Sequence, residues 1–299
     1  MVQQLQQNQM NSYGYLPQNL LVNPGFEIWQ RGAGSFTGDG AITADEWQMD
    51  FSTGPMSVDR NSSPKFGTNC AEISAPDNSV LRQGIEAYKS LESLSLTFSA
   101  WIKTSTSNAA LLRLRDYDGS TVEIETGAYH TGSGDWEHLT VTKVIRTGLQ
   151  TAAGITHGFG LSADLRFDAA CTAYIDGASL VIGNYPEGVP FIPLNLADDW
   201  SRCQRFYEKL GRHNGGEYMS ISGYGTSGDT YKQSIGFSTL KSAVPTVTKA
   251  GAWPVTNCGQ PAINSIGMDG FVLSASITSN GLYIYYPNTT NDYVEAEVT

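Results

Sequence analysis

The chain has 299 residues, enough for about two domains, and only 16% of them are charged. Its 18 basic and 29 acidic residues give a net charge of −11 with no cluster of Lys or Arg, which argues against nucleic acid or an anionic membrane as a partner. The 32 glycines and 15 tyrosines, with abundant Ser, Thr and Asn, favour strands and turns, so an all-β protein is expected.

Residues 1–18 form a Gln- and Asn-rich arm ending at Pro17, too polar to fold alone and expected to attach the protein to a neighbour. The arm has neither the basic start nor the apolar run of a secretory signal. No stretch approaches the ~20 apolar residues of a membrane helix, so membrane insertion is not expected. Residues 19–183 carry short period-two runs bounded by Gly, Asn, Asp or Ser, as an antiparallel sandwich requires. In 96–103, Leu96, Phe98, Ala100 and Ile102 are expected to face the core, while Thr97, Ser99, Trp101 and Lys103 face away. Leu112 and Leu114 repeat the pattern ahead of the Asp118-Gly119 turn, and further strands are read at 139–145, 159–165 and 171–182. This alternation predicts that Trp101, Arg113, Arg115 and Tyr117 share the face opposite the core. A flat ring and planar guanidinium forks there would suit a glycan.

Residues 184–212 are expected to hold a linker, kept irregular by Pro186, Pro190 and Pro193, and then a short amphipathic helix. Asn195 can cap that helix, Asp198 and Asp199 suit its first turn, and Trp200, Cys203, Tyr207 and Leu210 fall on one stripe. Residues 213–299 are expected to form a smaller β module with strands at 233–239, 270–278 and 281–286. There Tyr283 and Tyr285 alternate with Leu282, Ile284 and Tyr286, and Tyr218, Tyr224, Tyr231 and Trp253 lie nearby. Trp200, Tyr207, Tyr283 and Tyr285 are expected to form an oligomer or contact surface.

Cys70, Cys171, Cys203 and Cys258 are widely spaced and read as buried free thiols, which fits assembly in a reducing cytoplasm. Gly-x-Ser-x-Gly, His-Glu-x-x-His and P-loop motifs are missing, and His130, His138, His157 and His213 are too scattered for a metal cluster. Asp116, Asp118, Glu123 and Glu125 could supply paired carboxylates, but any acidic β protein offers such pairs. No catalysis is expected.

Two signatures carry a family resemblance: Asn-Leu-Leu-Val-Asn-Pro-Gly-Phe-Glu-Ile-Trp-Gln-Arg-Gly at 19–32 and Arg-Cys-Gln-Arg-Phe-Tyr-Glu at 202–208. With Leu81-Arg82-Gln83, the 96–103 strand, Asp135-Trp136 and the closing 174–180 run, the chain resembles bacteriophage tail-fibre and virion surface proteins that carry a galactose-binding-like carbohydrate-binding module. The resemblance implies a jelly-roll sandwich opened by a strand at the first signature, and a host-surface glycan as partner. It also implies contacts with other virion proteins through the arm, a homotrimer and a place on the virion surface. Glu27 and Asp176 match positions where such modules hold a structural Ca2+ ion. The alternative within this resemblance is a capsid decoration or head-fibre protein gripping the capsid by its arm.

Overall fold

The computed structural model describes residues 17–152, 155, 158–211, 219–287 and 291–298. The arm before Pro17, together with His157, His213 and Tyr218, lies outside them. The chain divides into two compact units, Met1–Asp199 and Trp200–Thr299, each with its own apolar core.

The first unit is a sandwich of two five-stranded sheets whose pairings are all antiparallel. Its strands in chain order are β1 (Gln48–Phe51), β2 (Ser57–Asn61), β3 (Cys70–Ala75), β4 (Ser79–Gly84), β5 (Ser95–Thr104), β6 (Ala110–Tyr117), β7 (Val122–Thr126), β8 (Trp136–Val144), β9 (Leu161–Phe167) and β10 (Cys171–Ile182). Sheet I has the order β1-β4-β9-β6-β7 and sheet II the order β2-β3-β10-β5-β8. The expected jelly-roll sandwich is thus present. Leu96, Phe98, Ala100 and Ile102 of β5 are fully buried and meet Leu112, Leu114, Ala163 and Leu165 of sheet I across the core. Burial of each large apolar side chain contributes roughly 1.5–3 kcal/mol.

The 19–32 signature is not the opening strand that the resemblance implied; residues 17–35 form turns and bends. Asn23 takes a left-handed backbone (φ 48°), and its side chain donates to the Ile28 carbonyl and accepts from the Ile28 N–H, closing a compact loop. Phe26 stacks on Trp47 with ring centroids 4.8 Å apart, and Trp47 Nε1 donates to the Asn23 carbonyl. The loop is fastened to the sandwich by Gln83, whose amide bonds both the N–H and the carbonyl of Val22. Hence the signature encodes a buried turn.

Asp45 closes the same region, accepting hydrogen bonds from the Gln30 backbone and side chain with Arg31 3.6 Å away. Burial pushes its carboxyl up to about 7, against the pull of Arg31 and Gln30. Burial likewise raises Asp176 to about 6. A carboxyl that holds its proton more tightly when folded adds stability that is complete below its unfolded pKa near 4 and is lost as pH rises through the folded value. The unfolding temperature of this unit should therefore fall from about pH 4 to about pH 7, and Asp45→Asn should flatten that slope. An equal slope in the variant would contradict the assignment.

Residues 184–193 are not a free spacer: the chain lies on the outer face of sheet II. Tyr185 N–H donates to Thr97 Oγ1, Thr97 Oγ1 donates to the Gly183 carbonyl, and Thr140 Oγ1 donates to the Pro186 carbonyl. The helix that follows, α1 (Leu196–Gln204), is capped by Asn195 as expected, through the Ala197 N–H at 2.9 Å.

The second unit is built from β11 (Tyr207–Gly211), β12 (Ile221–Gly225), β13 (Thr230–Gly236), β14 (Thr246–Ala250), β15 (Val255–Thr256), β16 (Ala262–Asn264), β17 (Gly270–Ser276), β18 (Gly281–Tyr285) and β19 (Tyr293–Glu297). They pair as β11-β19-β14, β12-β18-β15 and β13-β17-β16. Two successive runs of three strands thus flank the returning run β17 to β19, giving a three-stranded ribbon cut into three sheets around Trp253, Phe271, Leu273 and Tyr285.

Candidate functional site

The outer face of sheet I is the polar surface that the alternation places opposite the core. Its rows follow from the strand register. Gln48, Arg82, Asp164, Arg113 and Thr126 lie side by side in one row, and Gly84, Ser162, Arg115 and Ile124 in the next. Tyr117 and Val122 follow at the end of β6 and β7. Arg113 Nη2 donates to Asp164 Oδ2 at 2.8 Å, and Ser162 Oγ donates to Asp164 Oδ1 at 2.7 Å. Arg82 pairs with Asp50 of β1. Asp164 and Ser162 are fully buried, while Val122 and Ile124 are 45% and 44% exposed. Fixed guanidinium forks and hydroxyls thus adjoin an open apolar strip. Tyr117 turns its hydroxyl to the Gly119 carbonyl and borders the face at the hairpin.

Arg113, Arg115 and Tyr117 are brought together as expected, but Trp101 is not with them. β5 and β6 belong to different sheets, so Trp101 points outward from the opposite side of the sandwich. There it stacks on His138 with centroids 4.9 Å apart, and Lys65 Nζ sits 4.0 Å from its ring centroid. The segment from Gly183 to Phe191 covers the neighbouring Thr97 and Ser99, which are buried. Trp101 itself is half-buried, packed against Phe66 and His138, and burial keeps the His138 imidazole's pKa low. Arg82, Asp164 and Ser162 are the residues the sequence reading missed. The alternation of Leu161, Ala163 and Leu165 with Ser162, Asp164 and Arg166 could have found them.

Glu27 and Asp176 line one cavity of about 220 Å³ with Phe66, Gly67 and Phe191. Their oxygens, however, face donors. Glu27 accepts from the backbone N–H groups of Thr68 and Asn69, from Thr68 Oγ1 and from Asn69 Nδ2. Asp176 Oδ2 accepts from the N–H groups of Lys65 and Phe66, and Oδ1 from that of Gly177. A Ca2+ ion takes six to eight oxygen ligands, and here the positive ends of N–H dipoles point into that space. No group of three His, Cys, Asp or Glu suited to a metal occurs among the described residues. This donor set does not fit the ion, and the two carboxylates instead pin the 65–69 loop directly.

The contact surface expected on aromatic residues is also revised. Helix α1 ends at Gln204, so Tyr207 and Leu210 stand on β11; Tyr207 is buried and donates to Glu295 Oε2 at 2.9 Å. Tyr283 and Tyr285 point into the second core, where Tyr283 packs on Tyr231 at 4.9 Å. Trp200 is exposed. The solvent face of β18 carries the other parity: Leu282 is exposed and pairs across to Tyr224, which is 83% exposed.

Asp116, Asp118 and Glu123 are engaged by cations. Arg146 contacts all three, and Lys143 contacts Asp116 and Glu123. All four cysteines are free thiols; three are buried and Cys171 is half-buried.

The architecture defines an all-β protein made of a jelly-roll sandwich and a second, smaller β unit. No family model matches the chain, and no curated protein matches it. Among solved structures, it is similar to the CBM22-1 xylan-binding domain of Xyn10C from Paenibacillus barcinonensis at 13% identity and TM-score 0.39, over 56% of this chain and 97% of that one. It is similar to TmCBM61 in complex with β-1,4-galactotriose at 16% identity and TM-score 0.34, over 56% and 99%. A further similarity is to the enzymatically active domain of bacteriophage CBA120 tailspike protein 4, at 9% identity and TM-score 0.36, over 55% of this chain and 21% of that one. At such low identities and scores, these likenesses assign no ligand to this chain.

Proposed function

We propose that this chain is a virion surface protein, a tail fibre or receptor-binding protein, whose N-terminal unit holds a host-surface glycan on the outer face of sheet I. One observation carries the reading: Arg113 and Ser162 fixed on Asp164, and Arg82 fixed on Asp50, beside the exposed Val122 and Ile124. Sugars present hydroxyls at their edges and C–H groups on their faces. Pre-oriented planar forks bond the first, and an apolar strip covers the second at little entropic cost. Weak single contacts would gain from many copies on one particle. The face holds and does not react, because the carboxylates near it are paired with arginines. The arm before Pro17 serves as the attachment to other virion proteins, and the assembled form is a homotrimer.

A glycan array probed with the purified protein tests the binding role, and immunogold labelling of particles tests the location. Binding to at least one glycan class and gold at the tail are expected. An array without signal contradicts the binding role, and gold on the head alone favours the capsid decoration reading.

A further inference from the structure

Among the described residues, the proposed glycan face contains one cation without an ion-pair partner, Arg115. Arg82 pairs with Asp50, and Arg113 with Asp164. In the next row Arg115 stands between Ser162 on β9 and Ile124 on β7, with Gly84 one strand further on. It is half-buried and makes no hydrogen bond or ion pair with any other described residue. Burial and the nearby Arg82 guanidinium both disfavour its charge; the Asp164 and Asp50 carboxylates oppose them, and Arg113 adds a smaller repulsion. Arg113 Nε is itself buried without a partner. Water still reaches the Arg115 nitrogens, and because guanidinium stays protonated, a fork held beside two others favours an anion that displaces that water. Its neighbours in the row are small: Gly84 has no side chain, and Ser162 is buried with its hydroxyl spent on Asp164. In a chain of net charge −11, such a local excess of positive charge also selects among ligands.

We propose that the face takes an acidic glycan and that Arg115 receives its anionic substituent, as a bidentate pair through the guanidinium fork. This rests on the reading that the outer face of sheet I binds sugar. A carboxylate matches the planar fork, and a sulfate ester offers the same oxyanion chemistry. The ring of the sugar then lies toward Ile124 and Val122, whose exposed side chains adjoin Arg115 and Tyr117 across the β6–β7 pairing.

Isothermal titration with four ligands tests this: a uronic-acid oligosaccharide, the same oligosaccharide after carboxyl reduction, a sulfated oligosaccharide and a neutral galactan. The uronate or the sulfated ligand should bind, the uncharged two should bind at least tenfold more weakly, and Arg115→Gln should weaken the acidic ligand about 10- to 100-fold with unchanged unfolding temperature. Arg115→Lys, which keeps the charge and loses the fork, should fall between. Equal affinity for the reduced and unreduced oligosaccharide, or an Arg115→Gln variant that binds the acidic ligand normally, overturns the inference while leaving a sugar-binding face in place. If none of the four binds, the underlying reading fails as well.

Discussion

Replacing Lys241 with methionine is expected to destabilise the C-terminal unit by about 3–5 kcal/mol. Lys241 and Glu208 form an ion pair that is almost wholly buried. Lys241 Nζ donates to Glu208 Oε2 at 2.6 Å and to the Gln204 carbonyl at 2.5 Å, and lies 4.6 Å from the Phe237 ring centroid. The other face of the carboxylate accepts from the Ser238 N–H. Burial holds the Lys241 ammonium below its ordinary pKa even though Glu208 pulls the other way, which shows how much desolvation the pair bears. Methionine fills similar volume but leaves the carboxylate without its cation, and an uncompensated buried charge is far costlier than the pair is worth. The double variant Lys241→Met with Glu208→Leu should therefore recover most of the loss. Urea unfolding of both variants separates the cases: if the single variant unfolds like the wild type, the pair does not hold this unit together.

The second large effect is expected at Arg146. All three of its side-chain nitrogens are engaged: Nε on Asp116 Oδ1 at 2.6 Å, Nη1 on Asp118 and Thr121, and Nη2 on the carbonyls of Asp116 and Thr121. These partners lie on β6 and in the turn into β7, and Nε is also 3.3 Å from Glu123 on β7, so one guanidinium clamps the hairpin that ends the sheet I face. Asp116 is fully buried and would retain Lys143, 3.3 Å away, and the backbone N–H of residue 146. Arg146→Met is expected to cost about 2–4 kcal/mol through the stranded carboxylate and unpaired carbonyls. Arg146→Lys should recover only part of this, since an ammonium cannot span both strands. Thermal unfolding gives the magnitude, and hydrogen exchange in 110–126 should rise well before global unfolding. Unaltered protection there would show that the hairpin stands without the clamp.

Much of the first unit was legible because a half-buried strand repeats every second residue. Leu96 to Lys103 was assigned to the correct faces from that period alone. Which strands share a sheet was not legible. β5 and β6 follow each other in the chain yet lie on opposite layers, so Trp101 and Arg113 carry the same parity and face opposite sides of the molecule. In the second unit the period was visible but its phase was not: both rows of 281–285 are apolar or aromatic, and only the packing of Tyr283 on Tyr231 decides which row is inside. The helical spacing of Trp200, Cys203 and Tyr207 outlasts the helix itself, because β19 offers Tyr207 a strand partner at Glu297. The 19–32 signature marks a conformation, a left-handed Asn23 turn, that strand patterning does not describe.

We propose that the outer face of sheet I, and not that of sheet II, meets the ligand. Parallel titrations of Arg113→Lys and Trp101→Phe with a glycan that binds the wild type address it most directly. Arg113→Lys keeps a cation for Asp164 and loses the planar fork, so affinity should fall at least about tenfold, while Trp101→Phe should bind as the wild type does. Normal binding by Arg113→Lys together with loss in Trp101→Phe would place the ligand on the other side of the sandwich and contradict the account.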